Sequence, residues 1–381
     1  MQLLRIAPHR LYFFSGMLAI LAMFGWWGYR LPALSAGGLQ THAMLMPLGF
    51  FPLFILGFTF TAGPKWLAMP DEKRGFVLAG ASYLTGVAAQ VFSDISGLSW
   101  TRLAGSVLML LAWLGVTLRW AGICGSSAVK DRWHGWVLLS GMMHGAVALF
   151  TLMLVRAGLS QYALPTTALA VFGFLLPVFL NVCHRMLPFF SQNVVQPYQM
   201  WKPYWLLATW VVCCELIVIG QGFVIPVMTA IGAAGLCLSG MTALYRWQSH
   251  RCLNNRLLAM LHYAFVWLPV SAALLLAQAS GLNTGSAAVH GFALGLMGTM
   301  LIGFVSRVSF GHSGRPLQAP NWLWLVYWAA HFAAALRVLA SILLQTVLMQ
   351  VSLTIWIIAL LVWGAKLLPV YLQPRADGKA G

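Results

Sequence analysis

The chain has 381 residues, of which 61% are apolar and only 7% are charged, against the roughly 25% charged residues of an ordinary soluble domain. That supply of charge cannot cover a water-exposed surface, which excludes a soluble globular protein. The net charge of +16 would point to nucleic acid in a soluble chain. Here the basic residues fall between apolar runs, so membrane topology accounts for them and no nucleic-acid partner is expected.

A helix that crosses the hydrocarbon core needs about 20 mostly apolar residues. Such runs recur near 11–33, 43–62, 76–97, 103–122, 135–157, 162–183, 203–220, 222–244, 256–279, 285–306, 321–341 and 346–370. The expectation is an all-α polytopic transmembrane bundle of about 12 spans, one integral membrane domain over 1–381 embedded in the lipid bilayer. The first run follows Arg5 and Arg10 as a signal peptide would, yet it is long and lacks a small-residue cleavage site, which predicts an uncleaved first helix. On this map all but four of the 22 Lys and Arg fall on one side; the four are Arg30, Arg102, Arg156 and Arg337. Because cytoplasmic loops retain positive charge, both termini are expected in the cytoplasm, in a bacterial inner membrane. Cys124, Cys183 and Cys252 map to the cytoplasmic side, and Cys213, Cys214 and Cys237 lie inside spans, so no disulfide is expected. Without C-x-x-C or C-x-x-C-H there is no thiolate zinc or covalent-haem signature.

The ten histidines carry the chemical signal, since ionisable groups inside a membrane are costly and usually line a functional interior. His9, His134, His184, His250 and His312 map to the cytoplasmic ends of spans, where water or headgroups can satisfy them. His42 starts the second span and His290 lies one turn into the tenth. These two spans run in the same direction, so the two imidazoles come at similar depth and suit axial ligation of a haem. A ligand beside a hydrogen-bonded core histidine is the rival reading. Gly291, Gly295 and Gly298 form a small-residue strip that admits either a neighbouring helix or a flat macrocycle. Arg337 lies at the depth where the propionates of such a haem would point, and its fork of donors suits carboxylates, with snorkelling as the alternative. His144, His262 and His331 map deeper, roughly 9 to 15 Å from the cytoplasmic end at 1.5 Å per residue. They are candidate ligands for copper or a haem, with Met142 and Met143 beside His144, or else satisfied buried histidines. Glu215 is the carboxylate well inside a span, open to proton relay or to a protonated structural role.

Several stretches together resemble the NnrS family of haem- and copper-containing membrane proteins associated with the response to nitric oxide. They are Thr41-His42-Ala43-Met44 with Gly49-Phe50 and the exit Phe60-Thr61-Ala62-Gly63-Pro64-Lys65-Trp66, then His184-Arg185-Met186-Leu187-Pro188-Phe189-Phe190, then Leu261-His262-Tyr263 with Trp267-Leu268-Pro269. The longest joins His290-Gly291-Phe292 and Gly298-Thr299-Met300 to Arg307-Val308-Ser309-Phe310-Gly311-His312-Ser313-Gly314-Arg315-Pro316. The resemblance implies haem b and copper as cofactors and a role in nitric oxide metabolism or relief of nitrosative stress. His42, His262, His290 and His312 are the histidines within its motifs, and His312 joins the candidate metal ligands on that ground. Family members commonly carry Glu after the first motif histidine; here Ala43 stands there, so any role of that Glu is absent or taken over.

Two other classes stay open at this stage. A secondary transporter or channel suits the span count, but no half-to-half repeat is found. A haem–copper oxidase or nitric oxide reductase also takes haem ligands from spans two and ten, but there is no adjacent His-His pair and no His-x-His in the tenth span. Redox turnover would draw electrons from quinol or a separate donor, as the chain has no nucleotide-binding motif.

Overall fold

A computed structural model describes residues 2–33, 35–72 and 76–379. Among them are twelve helices long and apolar enough to cross a membrane, and no strand. They are α1 Pro8–Ala33, α2 Gly37–Trp66, α3 Phe76–Ser96, α4 Ser99–Ser126, α5 Trp133–Arg156, α6 Ser160–Gln192, α7 Tyr204–Gly222, α8 Pro226–Arg246, α9 Arg256–Ala279, α10 Ala287–His312, α11 Asn321–Leu343 and α12 Thr346–Tyr371. The expected all-α polytopic bundle is therefore the observed fold. Lys73 and Arg74, two of the basic residues behind the expected orientation, lie outside the described residues.

Two spans run furthest past their expected ends. Helix α6 continues to Gln192 through Pro188, and α10 continues to His312. Apolar windows stop at the first basic residue, but the backbone still needs hydrogen bonds there, and continuing the helix supplies them. As a consequence His184 is not an end residue: it is fully buried in mid-helix, its Nε2 3.0 Å from the Pro203 carbonyl.

By contacts the chain forms two compact units, residues 1–175, 312–314 and 364–381, and residues 176–311 and 315–363. In the first unit α2 is the central helix, buried along most of its length. It breaks at Phe50, where φ is −132° and ψ −36°, because Pro52 has no N–H to give the preceding turn and a new helical segment starts at Phe51. Lipid tails are as apolar as leucine, so close packing rather than a hydrophobic drive joins membrane helices. Gly86 of α3 and Gly105 of α4 show it: a Cβ on either would lie within 3 Å of the other's carbonyl oxygen. Helix α4 meets α5 through Trp113 and Trp120, both fully buried, whose indole N–H groups donate to the carbonyls of Met142 at 2.8 Å and Gly135 at 3.1 Å. Each indole thereby has a partner for the one donor it must bury. Leu78 and Leu118 are 77% and 72% exposed on the outside, which water would penalise and lipid does not.

In the second unit Trp210 of α7 donates to Ser239 of α8 at 3.1 Å, and Trp363 of α12 donates to Ser306 of α10 at 2.9 Å. Tyr327 of α11 donates to the carbonyl of Met260 in α9. Helix α10 contains a π-helical stretch, Gly291–Gly298, directly after His290. Helix α6 has a second, Leu169–Leu175, which ends just before Pro177, a residue that could not have continued the α-helical ladder. Wide turns of this kind are rare and often border functional groups.

Candidate functional site

His42 sits half-buried near the start of α2 with its ring 3.8 Å, centroid to centroid, from Trp27 of α1 and tilted by 32°. That stack occupies a face of the imidazole, while ligation uses the edge. Around it lie three of the four arginines that the sequence sets on the sparsely charged side. Arg30 Nε is 3.0 Å from Asp94 Oδ2, which also accepts from Trp26 Nε1 at 2.9 Å. Arg102 donates to Ser93 at 3.3 Å, and Arg156 Nη1 donates to Thr41 Oγ1 at 3.4 Å.

His290, in the second unit, is held by Nδ1–H donating to the Ser286 carbonyl at 2.8 Å. That bond fixes the tautomer and leaves the lone pair on Nε2, the pattern common in metal-ligating histidines. The glycine strip that follows serves helix packing: a Cβ on Gly291 would strike Ser271, one on Gly295 would lie 2.3 Å from the Trp267 ring, and one on Gly298 3.2 Å from Trp356. Arg337 is engaged by two hydroxyls, Nη1 to Ser341 Oγ at 2.5 Å and Nη2 to Ser286 Oγ at 3.2 Å. It thus shares Ser286 with His290.

The deeper trio separates. His144 belongs to the first unit and His262 and His331 to the second. His144 Nδ1–H donates to Ser140 O at 2.9 Å; of its neighbours Met142 is fully buried and Met143 is 57% exposed, so the two thioethers face different ways. His262 is buried with both nitrogens occupied, Nε2 3.0 Å from Ser191 Oγ and Nδ1 2.8 Å from Ser249 Oγ. His331 Nδ1 accepts from Trp267 Nε1 at 3.0 Å, which puts its own proton on Nε2, and the ring stands edge-on to Tyr327 at 4.5 Å. His262 and His331 would have to give up a hydrogen bond or change tautomer to take a metal, whereas the bond of His144, like that of His290, leaves the lone pair on Nε2. Among the described residues no three His, Cys, Asp or Glu are grouped to hold one.

His312 has a neighbour that no motif or spacing points to. Its ring lies 4.5 Å from that of His9, at 42°, within the first unit. His9 is 5% exposed and its Nδ1 is buried with no hydrogen-bond partner among the described residues. The C-terminal tail ties this corner down. Arg375 donates to the His312 carbonyl at 3.0 Å and pairs with Asp377 at 2.6 Å, Ala376 N donates to Ser313 O at 2.8 Å, and the buried Arg10 donates to Gln373 O at 2.8 Å. The hydrogen bonds from Arg375 hold the Asp377 carboxyl down at about 2.

One cavity of about 600 Å³ lies between α2, α3 and α4, lined by Phe60, Phe76, Leu108, Leu111 and Ala112. Its charged pair is closed on itself, Arg119 Nε 2.8 Å from Glu72 Oε2, so it offers apolar space and little directed chemistry.

A family model described as NnrS protein matches residues 4–375. The chain belongs to the NnrS family. The motifs that carried the resemblance lie on α2, α6, α9 and α10, and the match to NnrS extends beyond them to nearly both ends of the chain. Comparison with curated proteins gave no match. Two residues of this NnrS protein stand out only in three dimensions: His9, an end-of-helix histidine by sequence, and Arg156, one cation among four. No spacing rule joins Pro8-His9 to His312, and no hydropathy window reveals which arginine edge is buried without a hydrogen-bond partner.

Proposed function

We propose that this NnrS-family membrane protein binds haem b and copper and acts in nitric oxide metabolism or protection from nitrosative stress in a bacterial inner membrane. Family membership over residues 4–375 is the observation that carries the proposal. His290 supports the haem part, because a ring held through Nδ1–H by the Ser286 carbonyl presents Nε2 as a ligand. His42, face-stacked on Trp27, is the second candidate haem ligand, and Arg337 the residue proposed for a propionate in the second unit. For copper the pair His9 and His312 has the strongest support, as two adjacent imidazoles, one with a buried nitrogen lacking a partner, suit a metal that accepts nitrogen ligands. His262 and His331 are weaker candidates, since both nitrogens of one are bonded and the lone pair of the other is taken by Trp267, while His144 keeps its Nε2 lone pair and stays a candidate. When bound, haem and copper supply redox-active metals with affinity for nitric oxide; the protein's part is to hold the imidazoles, exclude water and keep the metals in a low-dielectric interior. Electrons for any turnover would come from quinol or a separate donor.

Purified full-length protein should show a b-type haem spectrum and contain copper by elemental analysis. His42→Ala and His290→Ala should each lower haem content, and His312→Ala or His9→Ala should lower copper while leaving the haem spectrum in place. Haem-free and copper-free protein that still protects cells from nitric oxide would sink the proposal.

A further inference from the structure

Five helix ends of the first unit converge around Arg156: the end of α1 with Trp26 and Arg30, the start of α2 with Thr41, the end of α3 with Ser93 and Asp94, the start of α4 with Arg102, and Arg156 itself closing α5. Three guanidinium groups here face one carboxylate. Asp94 is spent on Arg30 and Trp26 through the same oxygen, Oδ2. Neither Arg102 nor Arg156 has a carboxylate partner among the described residues. Arg156 makes a single bond, Nη1 to Thr41 Oγ1 at 3.4 Å, on the edge of the guanidinium away from Nε. Its Nε and Nη2 are buried and have no hydrogen-bond partner among the described residues. These two atoms are not any pair: Nε–H and one N–H of Nη2 lie parallel along one edge of the guanidinium, the edge that grips two oxygens of a planar anion side-on. A snorkelling arginine would present that edge to water or headgroups; here it is the edge that is covered. Asp94 is near enough to attract Arg156 but does not bond to it, and a buried fork with its donors unpaired is costly unless an anion completes it.

We propose that the Nε–Nη2 edge of Arg156 is a binding site for a planar two-oxygen anion of the carboxylate class, with Arg102 supplying the second positive charge. The inference deepens the haem reading and rests on it for one of its two sources. Thr41, which Arg156 grips, immediately precedes the candidate ligand His42, so a carboxylate carried by a cofactor on His42 is the first source. A free small oxyanion is the second.

The test uses full-length protein produced under haem limitation. In the first arm it is reconstituted with haem or with haem dimethyl ester, whose carboxylates are blocked. In the second arm the haem-free protein is melted with and without formate or nitrite. A cofactor carboxylate predicts that wild type prefers haem over the diester by about tenfold, the scale of one charge-assisted pair, and that Arg156→Gln and Arg156→Lys lose the preference. The lysine variant keeps the charge and loses only the fork. A free anion predicts no preference, but a rise in melting temperature with formate or nitrite that both variants lack. Wild type that shows neither the preference nor the rise overturns the proposal, and this result needs no variant to fold. Protein that takes up no haem in any form defeats the haem reading alone, and the second arm then decides the anion site by itself.

Discussion

A buried imidazole declares its tautomer through what its two nitrogens touch, and in this protein that decides which histidines can ligate. Ser191 Oγ donates to Leu187 O at 2.9 Å, so toward His262 it accepts from Nε2–H, and Ser249 then donates to Nδ1. Both nitrogens are used. His262→Phe should therefore cost about 1–3 kcal/mol of stability, the penalty for breaking a buried polar network, as read by denaturant unfolding in detergent. Copper and haem content should stay at wild-type levels; loss of copper instead would return His262 to the ligand set. The sequence had named His262 and His312 on equal terms, both as motif histidines. What separates them is invisible to spacing: Ser191 and Ser249, from two other segments, saturate one, and His9, brought in by the first helix, leaves the other beside an orphaned nitrogen. The positions of His42 and His290 near the starts of α2 and α10 were legible, because depth along an apolar run is itself sequence information. Arg156 was legible as a cation on the sparse side, whereas the unpaired state of its buried Nε–Nη2 edge depends on Thr41 taking only Nη1.

At the scale of elements, hydropathy found the twelve spans because it sums over about 20 residues at a time. It missed the break at Phe50 and the two wide π stretches, which hang on single prolines and on glycines with large partners. Gly295 is the sharpest case, since a Cβ there would lie 2.3 Å from the Trp267 ring. Gly295→Ala should destabilise by about 1–3 kcal/mol, as overpacking of a filled interface does, and should displace the indole that donates to His331. Gly122→Ala on α4 is the control: nothing lies within 4 Å of its added methyl, and the unfolding midpoint should hold or rise. Between α8 and α9, outside the spans, Cys252 is fully buried against Val195 and Leu258, and burial pushes its thiol above the ordinary range. A raised value means the neutral thiol is favoured and the reactive thiolate is scarce. Iodoacetamide at pH 8 should label Cys252 far more slowly than an open cysteine, with the rate climbing only as pH rises above the usual thiol range. Fast labelling at pH 8, read by mass spectrometry, would mean that this connection opens readily.

For the whole molecule, the twelve helices and the distribution of charge make a prediction about direction that neither makes alone. An even number of crossings returns the C-terminus to the side of the N-terminus, whichever side that is. The choice of side comes from the cations, because Lys and Arg near short loops resist translocation while acids contribute little. Only Arg30, Arg102, Arg156 and Arg337 oppose the rest of the 22, and three of those four crowd into one corner of the first unit around Asp94 and Thr41. An arginine cluster there does not overturn the charge rule, because the rule weighs the excess of Lys and Arg and the other side holds the rest of the 22. Green fluorescent protein fused after residue 379 should fluoresce, and alkaline phosphatase inserted between residues 157 and 159, next to Arg156, should be active. An active phosphatase at the C-terminus with an inactive one at 157–159 would invert the molecule. The Arg156 site would then face the cytoplasm, and a free oxyanion reaching it would come from inside the cell.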